Sequence, residues 1–110
     1  MNKYHAKKIH ENGYVFDSKL EHARYRELLL LRMAGKISDF EVHPKYLLQE
    51  KFKYQGKTIR AIYYIADFAY IENDKKIVED AKGFITNVFR LKHKLFLRQY
   101  GDSIEFRITR

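Results

Sequence analysis

YIADFAYIENDKKIVEDAK, residues Tyr64 to Lys82, decides how the rest of the chain is arranged. Ile62 to Ile71 is rich in β-branched and aromatic residues, and Lys76 to Ala81 is a second short run of strand character. Between them stand Glu72-Asn73-Asp74-Lys75. Asn and Asp tolerate the positive φ angles that a two-residue hairpin loop demands. With Asn73 and Asp74 as the loop, Glu72 pairs with Lys75, and the same register brings Asp67 opposite Asp80. Opposed residues of an antiparallel pair share a sheet face, with Cβ atoms about 4.5–5.5 Å apart. Lys82 lies two residues beyond Asp80, on that same face. Like charges placed opposite one another are destabilising, so two carboxylates and a lysine on one face call for a reason. A divalent cation supplies one; simple pairing of Lys82 with Asp67 and Asp80 at a sheet edge is the plainer alternative. A three-residue loop would break this register.

Working outward, the segment upstream reads as a strand from Tyr46 to Tyr54, turned by Gln55-Gly56 into the next strand near Thr58. Ile37 to Pro44 reads as an extended connector. A helix precedes it: Ser18-Lys19-Leu20-Glu21 fits a capping box, the four leucines 28–31 continue the helix, and Gly35 stops it. Glu21 shares a side with Tyr25 and Leu28, toward the protein body. The capping box, or a pair with Arg24, accounts for Glu21 without any chemistry. Downstream, a second helix spans about Thr86 to Gln99, with Thr86 or Asn87 as cap. Val88, Leu91 and Leu95, flanked by Phe89 and Phe96, form its expected apolar face. Arg90, Lys94 and Arg98 recur every four residues as a basic ridge on the other side. Ile104, Phe106 and Ile108 alternate with Glu105 and Arg107 as a last half-buried strand. Residues 1–17 carry Lys3, His5, Lys7, Lys8 and His10 ahead of Asn12-Gly13, a hairpin signal, and read as a basic hairpin or arm. Residues 18–110 form one domain.

The chain has 110 residues and 45% apolar content, enough for one modest core. With no cysteine, disulfides and thiolate zinc sites are excluded. No run of residues is long and apolar enough for a membrane span, and none resembles a leader, so a cytoplasmic protein is expected. The net charge of +8 favours a polyanion as partner, most often nucleic acid. The ridge Arg90-Lys94-Arg98 reads as phosphate-contacting, or else as a solvated helix face. His5, His10, His22, His43 and His93 stand at no metal-ligand spacing, which argues against a histidine zinc site. Tyr63, Tyr64, Phe68 and Tyr70 read as core rather than as a base-stacking platform.

A helix with Glu, a β-meander with Asp followed by (Asp/Glu)-x-Lys, then a helix and strand, resembles the PD-(D/E)XK nuclease superfamily. More narrowly, Phe16-Asp17-Ser18-Lys19-Leu20-Glu21, Ala66-Asp67-Phe68 and Val78-Glu79-Asp80-Ala81-Lys82-Gly83 resemble a small phage-borne branch related to phage Holliday-junction resolvases. The resemblance implies an α/β (α+β) fold with a restriction-endonuclease-like αβββαβ core, a mixed central sheet flanked by two helices. It implies a Mg²⁺- or Mn²⁺-dependent endonuclease acting on DNA, including branched DNA, as a phage or prophage product in a bacterial host. Asp67, Asp80 and the Ala81 carbonyl would then be metal ligands, Lys82 the water-activating group, and Glu21 a further ligand. Ala66 stands where the motif has Pro, and Asp80 where Glu is more usual. Lys7, Lys8, Lys19, Thr86, Arg90, Lys94 and Arg98 are the expected DNA contacts, and symmetric cutting of a junction would call for a homodimer. Two other readings stay open: a non-catalytic nucleic-acid-binding module of a phage replication complex, and a structural protein of such a complex.

Overall fold

In a computed structural model, residues 7–110 are described, so Lys3 and His5 of the expected arm lie outside the described residues. The turn between Glu72 and Lys75 sets the centre of the molecule. Asn73 and Asp74 both take positive φ, 51° and 64°, the signature of a type I′ turn whose twist matches the strands it joins. The strands on either side, β8 (Phe68–Glu72) and β9 (Lys75–Ala81), pair as Glu72 with Lys75 through Phe68 with Glu79. This is the register expected from the two-residue loop.

Four strands form the main sheet in the order β10 (Glu105–Thr109), β9, β8, β3 (Ser38–Val42). β10 runs parallel to β9, and the other pairs are antiparallel, so the sheet is mixed. Helix α1 (Lys19–Met33) packs on one face and α2 (Asn87–Tyr100) on the other. The fold is mixed α+β, with two helices and a mixed multi-strand sheet. Strand alternation divides the core between the faces. Phe68, Tyr70 and Ile77 meet Phe16, Tyr25, Leu28 and Ile37 on the α1 side. Ala69 and Val78 meet Tyr64, Phe89 and Phe96 on the α2 side.

Helix α1 starts at Ser18, whose hydroxyl accepts from the Glu21 N–H at 3.1 Å. It ends in a Schellman motif: Gly35 has φ 73°, its N–H reaches the Arg32 carbonyl, and the Lys36 N–H reaches that of Leu31. Of the four leucines only Leu28 is fully buried. The N-terminal hairpin, β1 (Ile9–Glu11) with β2 (Tyr14–Phe16), is docked rather than free: Phe16 is fully buried, and Asn12 Nδ2 donates to the Tyr25 hydroxyl at 2.8 Å.

Three expectations need correction. The connector Ile37–Pro44 contains β3, an integral edge strand of the main sheet; a bulge at Asp39, φ 49°, hides its alternation. The two strands expected before Asp67 do not join the sheet. They fold on each other as β4 (Lys45–Gln49) with β7 (Ile62–Ile65), and β5 (Phe52–Tyr54) with β6 (Lys57–Ile59). Together they make a two-stranded ribbon with Gln55-Gly56 at its tip, both at positive φ. On α2, Phe89 and Phe96 form the buried stripe, while Val88, Leu91 and Leu95 are exposed. Two rings seven residues apart, helped by Tyr100, fill the space under the helix, and burying rings removes more apolar area than burying the smaller side chains.

Candidate metal and nucleic-acid site

The site lies where the ribbon joins the sheet. The chain leaves through His43-Pro44 and returns through Ala66-Asp67. Two backbone hydrogen bonds close that junction: His43 N–H to the Asp67 carbonyl at 2.9 Å, and Ala66 N–H to the Pro44 carbonyl at 3.0 Å. His43 sits at φ 56°, a left-handed conformation that non-glycine residues adopt at a cost. The junction thereby fixes His43 beside Asp67.

Glu21 reaches the same place from the first turn of α1 and is buried. Its Oε2 accepts from the Asp17 N–H at 3.3 Å, one residue before the position a capping box would use. Its Oε1 lies 2.8 Å from His43 Nε2. Arg24 takes no part in this, contrary to the pairing considered above. One ligand atom from each of Glu21, His43 and Asp67 lies within 4.8 Å of the others. Two carboxylates and an imidazole at that spacing match the donor set of a divalent cation of the Mg²⁺–Mn²⁺ class, with the imidazole favouring the transition metal.

Asp67 and Asp80 are laced together through the backbone. The Asp67 N–H donates to Asp80 Oδ1 at 2.7 Å, and the Ala81 N–H donates to Asp67 Oδ2 at 2.7 Å. The Tyr64 hydroxyl donates to the other oxygen of Asp80. Burial, then the charges of Asp80 and Glu21, push the Asp67 carboxyl up to about 8, against the opposing pull of the Ala81 N–H and Lys82. Burial and the Asp80 charge likewise raise the Tyr64 hydroxyl far above its ordinary range. Among the described residues, neither Asp67 nor Asp80 has a Lys or Arg nitrogen within 4.0 Å.

Of the expected ligands, then, Glu21 and Asp67 converge. Asp80 stands behind Asp67 and is not in the converging group. Lys82 follows β9 on the α2 side, its Nζ 4.9 Å from the Phe89 ring centroid. It lines a groove of about 250 Å³ with Tyr64, Thr86 and Lys92. Thr86 caps α2, its Oγ1 accepting from the Phe89 N–H at 3.0 Å. Lys7, Lys8, Lys19, Arg90, Lys94 and Arg98 are exposed, and Lys8 lies 3.9 Å from Asp17. His43 was not legible as a site residue. It stands at no i, i+2 or i, i+4 spacing from another histidine, and only the closure of a long excursion brings it to Asp67. Of the four rings expected in the core, Tyr63 is exposed while Tyr64, Phe68 and Tyr70 are buried, and Tyr64 also holds Asp80.

A family model described as "Protein of unknown function (DUF1064)" matches residues 1–110. The chain belongs to the DUF1064 family. No curated protein and no solved structure matches it. Among the described residues, no helix is long and apolar enough to cross a membrane.

Proposed function

We propose that this DUF1064 chain is a metal-dependent endodeoxyribonuclease with a restriction-endonuclease-like core. The observation that carries this reading is the convergence of Glu21, His43 and Asp67 within 4.8 Å, beside Asp80 and with no Lys or Arg paired to either aspartate. The order α1, β3, β8, β9, α2, β10 supports it, because it follows the αβββαβ sequence of such cores. The net charge of +8 suits a polyanionic substrate.

Glu21, His43 and Asp67 would hold the ion. A bound Mg²⁺ or Mn²⁺ polarises a phosphodiester and lowers the pKa of its water. Asp80 holds Asp67 in place through the backbone N–H, and is itself held by Tyr64. Lys82, on the same side of the sheet, is a cation near Asp67 that can orient a water or stabilise charge growing on a phosphate oxygen. The Ala81 carbonyl, one residue away, is a further candidate ligand. The exposed Arg90, Lys94 and Arg98 would neutralise phosphates.

The test is incubation with four-way junction, flap and linear DNA in Mg²⁺, Mn²⁺ or EDTA. Cleavage that requires the metal and is lost in both Asp67→Ala and Asp80→Ala is expected. No cleavage of any substrate, or cleavage unaffected by these substitutions, would sink the proposal. A second reading, a nucleic-acid-binding module without turnover, draws on the engagement of both Asp80 oxygens by Tyr64 and the Asp67 N–H. Salt-dependent DNA binding indifferent to metal would mark it.

A further inference from the structure

The ribbon Lys45–Ile65 takes no part in the four-stranded sheet. Its root is held: the Tyr100 hydroxyl donates to the Leu47 carbonyl at 3.0 Å, Gln99 Nε2 donates to the Leu48 carbonyl at 2.7 Å, and Tyr46 packs edge-on against Phe96. Its outer half is bare. Every residue of β5 and β6 is exposed. The radius of gyration, 15.8 Å, exceeds the ~13 Å of a compact domain near this length, as a projecting element requires.

Charge on the ribbon is one-sided. It carries Lys45, Lys51, Lys53, Lys57 and Arg60 against Glu50 alone. Among the described residues, none of the five forms an ion pair. The register sorts the tip by face. Phe52 pairs with Ile59 and Tyr54 with Lys57, on one side, while Lys53 pairs with Thr58 on the other. A bare two-stranded ribbon is marginal in water and leaves both edges unpaired. Cations and aromatic rings on such an element match a nucleic-acid groove, because the DNA major groove, about 12 Å wide, admits a two-stranded ribbon.

We propose that the outer ribbon, Phe52–Ile59 with Lys51 and Arg60, is a groove-binding arm for double-stranded DNA, and that its root presents the gripped backbone to Glu21, His43 and Asp67. The arm rests on the nucleic-acid reading above and adds the element that holds the substrate. The coupling is built in, since the His43–Asp67 hydrogen bond closes the root from which the ribbon projects. The narrow, deep major groove of double-stranded RNA does not admit side chains, so the arm selects DNA duplex over RNA duplex.

The test uses the full chain in EDTA, with fluorescent DNA and RNA duplexes of one sequence, and anisotropy titrations over a range of salt. The variant Lys51→Ala/Lys53→Ala/Lys57→Ala/Arg60→Ala is compared with wild type, and thermal melts check that both are folded. The wild type is expected to prefer the DNA duplex. The variant is expected to bind DNA about 100-fold more weakly, with a log–log salt slope shallower by about 3.6. If the variant melts early, Phe52→Ser/Tyr54→Ser, which removes no charge, gives a second reading through weakened DNA-duplex binding at unchanged salt slope. Variant binding within twofold of wild type overturns the arm. So does equal binding of RNA duplex, wild-type failure to bind, or a dimer in sedimentation that the substitutions dissolve while DNA binding stays intact. The nuclease reading fails separately: a protein that binds DNA through its ribbon and never cleaves overturns that reading and leaves the arm standing.

Discussion

Glu79 and Asp80 are neighbours on β9, yet they point to opposite faces and meet opposite fates. On the α1 side Glu79 is fully buried and fully answered. Arg24 donates to it through Nε at 2.6 Å and Nη2 at 3.1 Å, and the Tyr70 and Thr109 hydroxyls donate as well. Burial alone would raise its carboxyl, but the hydrogen bonds from Arg24, Thr109 and Tyr70 outweigh it and hold the group below the usual range. On the α2 side Asp80 is equally buried and has no basic partner; beside it Asp67 is pushed up to about 8. One strand thus carries a closed ion pair next to an open cluster. A protein that can complete one buried carboxylate with an arginine has the means to complete its neighbour. The open cluster is the arrangement that a bound cation would close.

The largest expected effect falls on catalysis. Outer partners of a metal site are worth 10- to 100-fold. Asp67→Ala should therefore cost more than about 100-fold in metal-dependent cleavage, and Tyr64→Phe, which frees Asp80, about 10-fold. Single-turnover assays on a labelled junction measure both. Glu79→Gln makes the reverse split. It leaves Arg24 with only the exposed Glu27 as charge partner and should destabilise by about 3 kcal/mol, lowering Tm by more than about 10 °C, while the rate per folded molecule stays near wild type. Equal damage to both properties by both substitutions would erase the distinction between the two faces.

Metal addition sharpens it. Mn²⁺ at about 100 times its dissociation constant should stabilise the wild type by about 2.7 kcal/mol, read as a rise in Tm, and should leave Asp67→Ala unmoved. The smallest effect is in pH dependence without metal. The folded Asp67 carboxyl titrates near 8 against an ordinary value of 3.8. Between those values the unfolded chain has lost this proton and the folded chain keeps it, so this group's contribution to stability declines as pH rises through that window. Glu79, held low, slopes the other way: its contribution is present above its ordinary 4.5 and is lost as pH falls through its folded value. Asp67→Asn should match wild type in Tm near pH 4 and exceed it by about 4 °C or more at pH 8 in EDTA. A constant difference across that range would contradict the assigned cause.

The central hairpin was legible because its information is local. Asn73-Asp74 dictate the turn, the turn dictates the register, and Asp67 and Asp80 follow. The caps at Ser18 and Thr86 were legible for the same reason. The ribbon's turn at Gln55-Gly56 was legible too, but its separation from the sheet was not, because residues 45–65 have the strand composition of sheet members, and only competition for edges decides that they pair with each other alone. Glu79 is instructive. Alternation along β9 places it on the face opposite Asp80, but its complete burial depends on Arg24, 55 positions away. His43 was missed because a side chain presented by a left-handed backbone at the mouth of a long excursion leaves no periodic trace.

The junction that closes the ribbon has one more consequence. Its two ends are already tied by the His43–Asp67 and Ala66–Pro44 hydrogen bonds, so the length of chain between them is free to change without altering how far apart they stand. Lengthening a loop costs only about 0.6 kcal/mol per doubling. The molecule is therefore modular at this point: its reach can be lengthened, trimmed or exchanged as a cassette while the groups at the hinge keep their spacing.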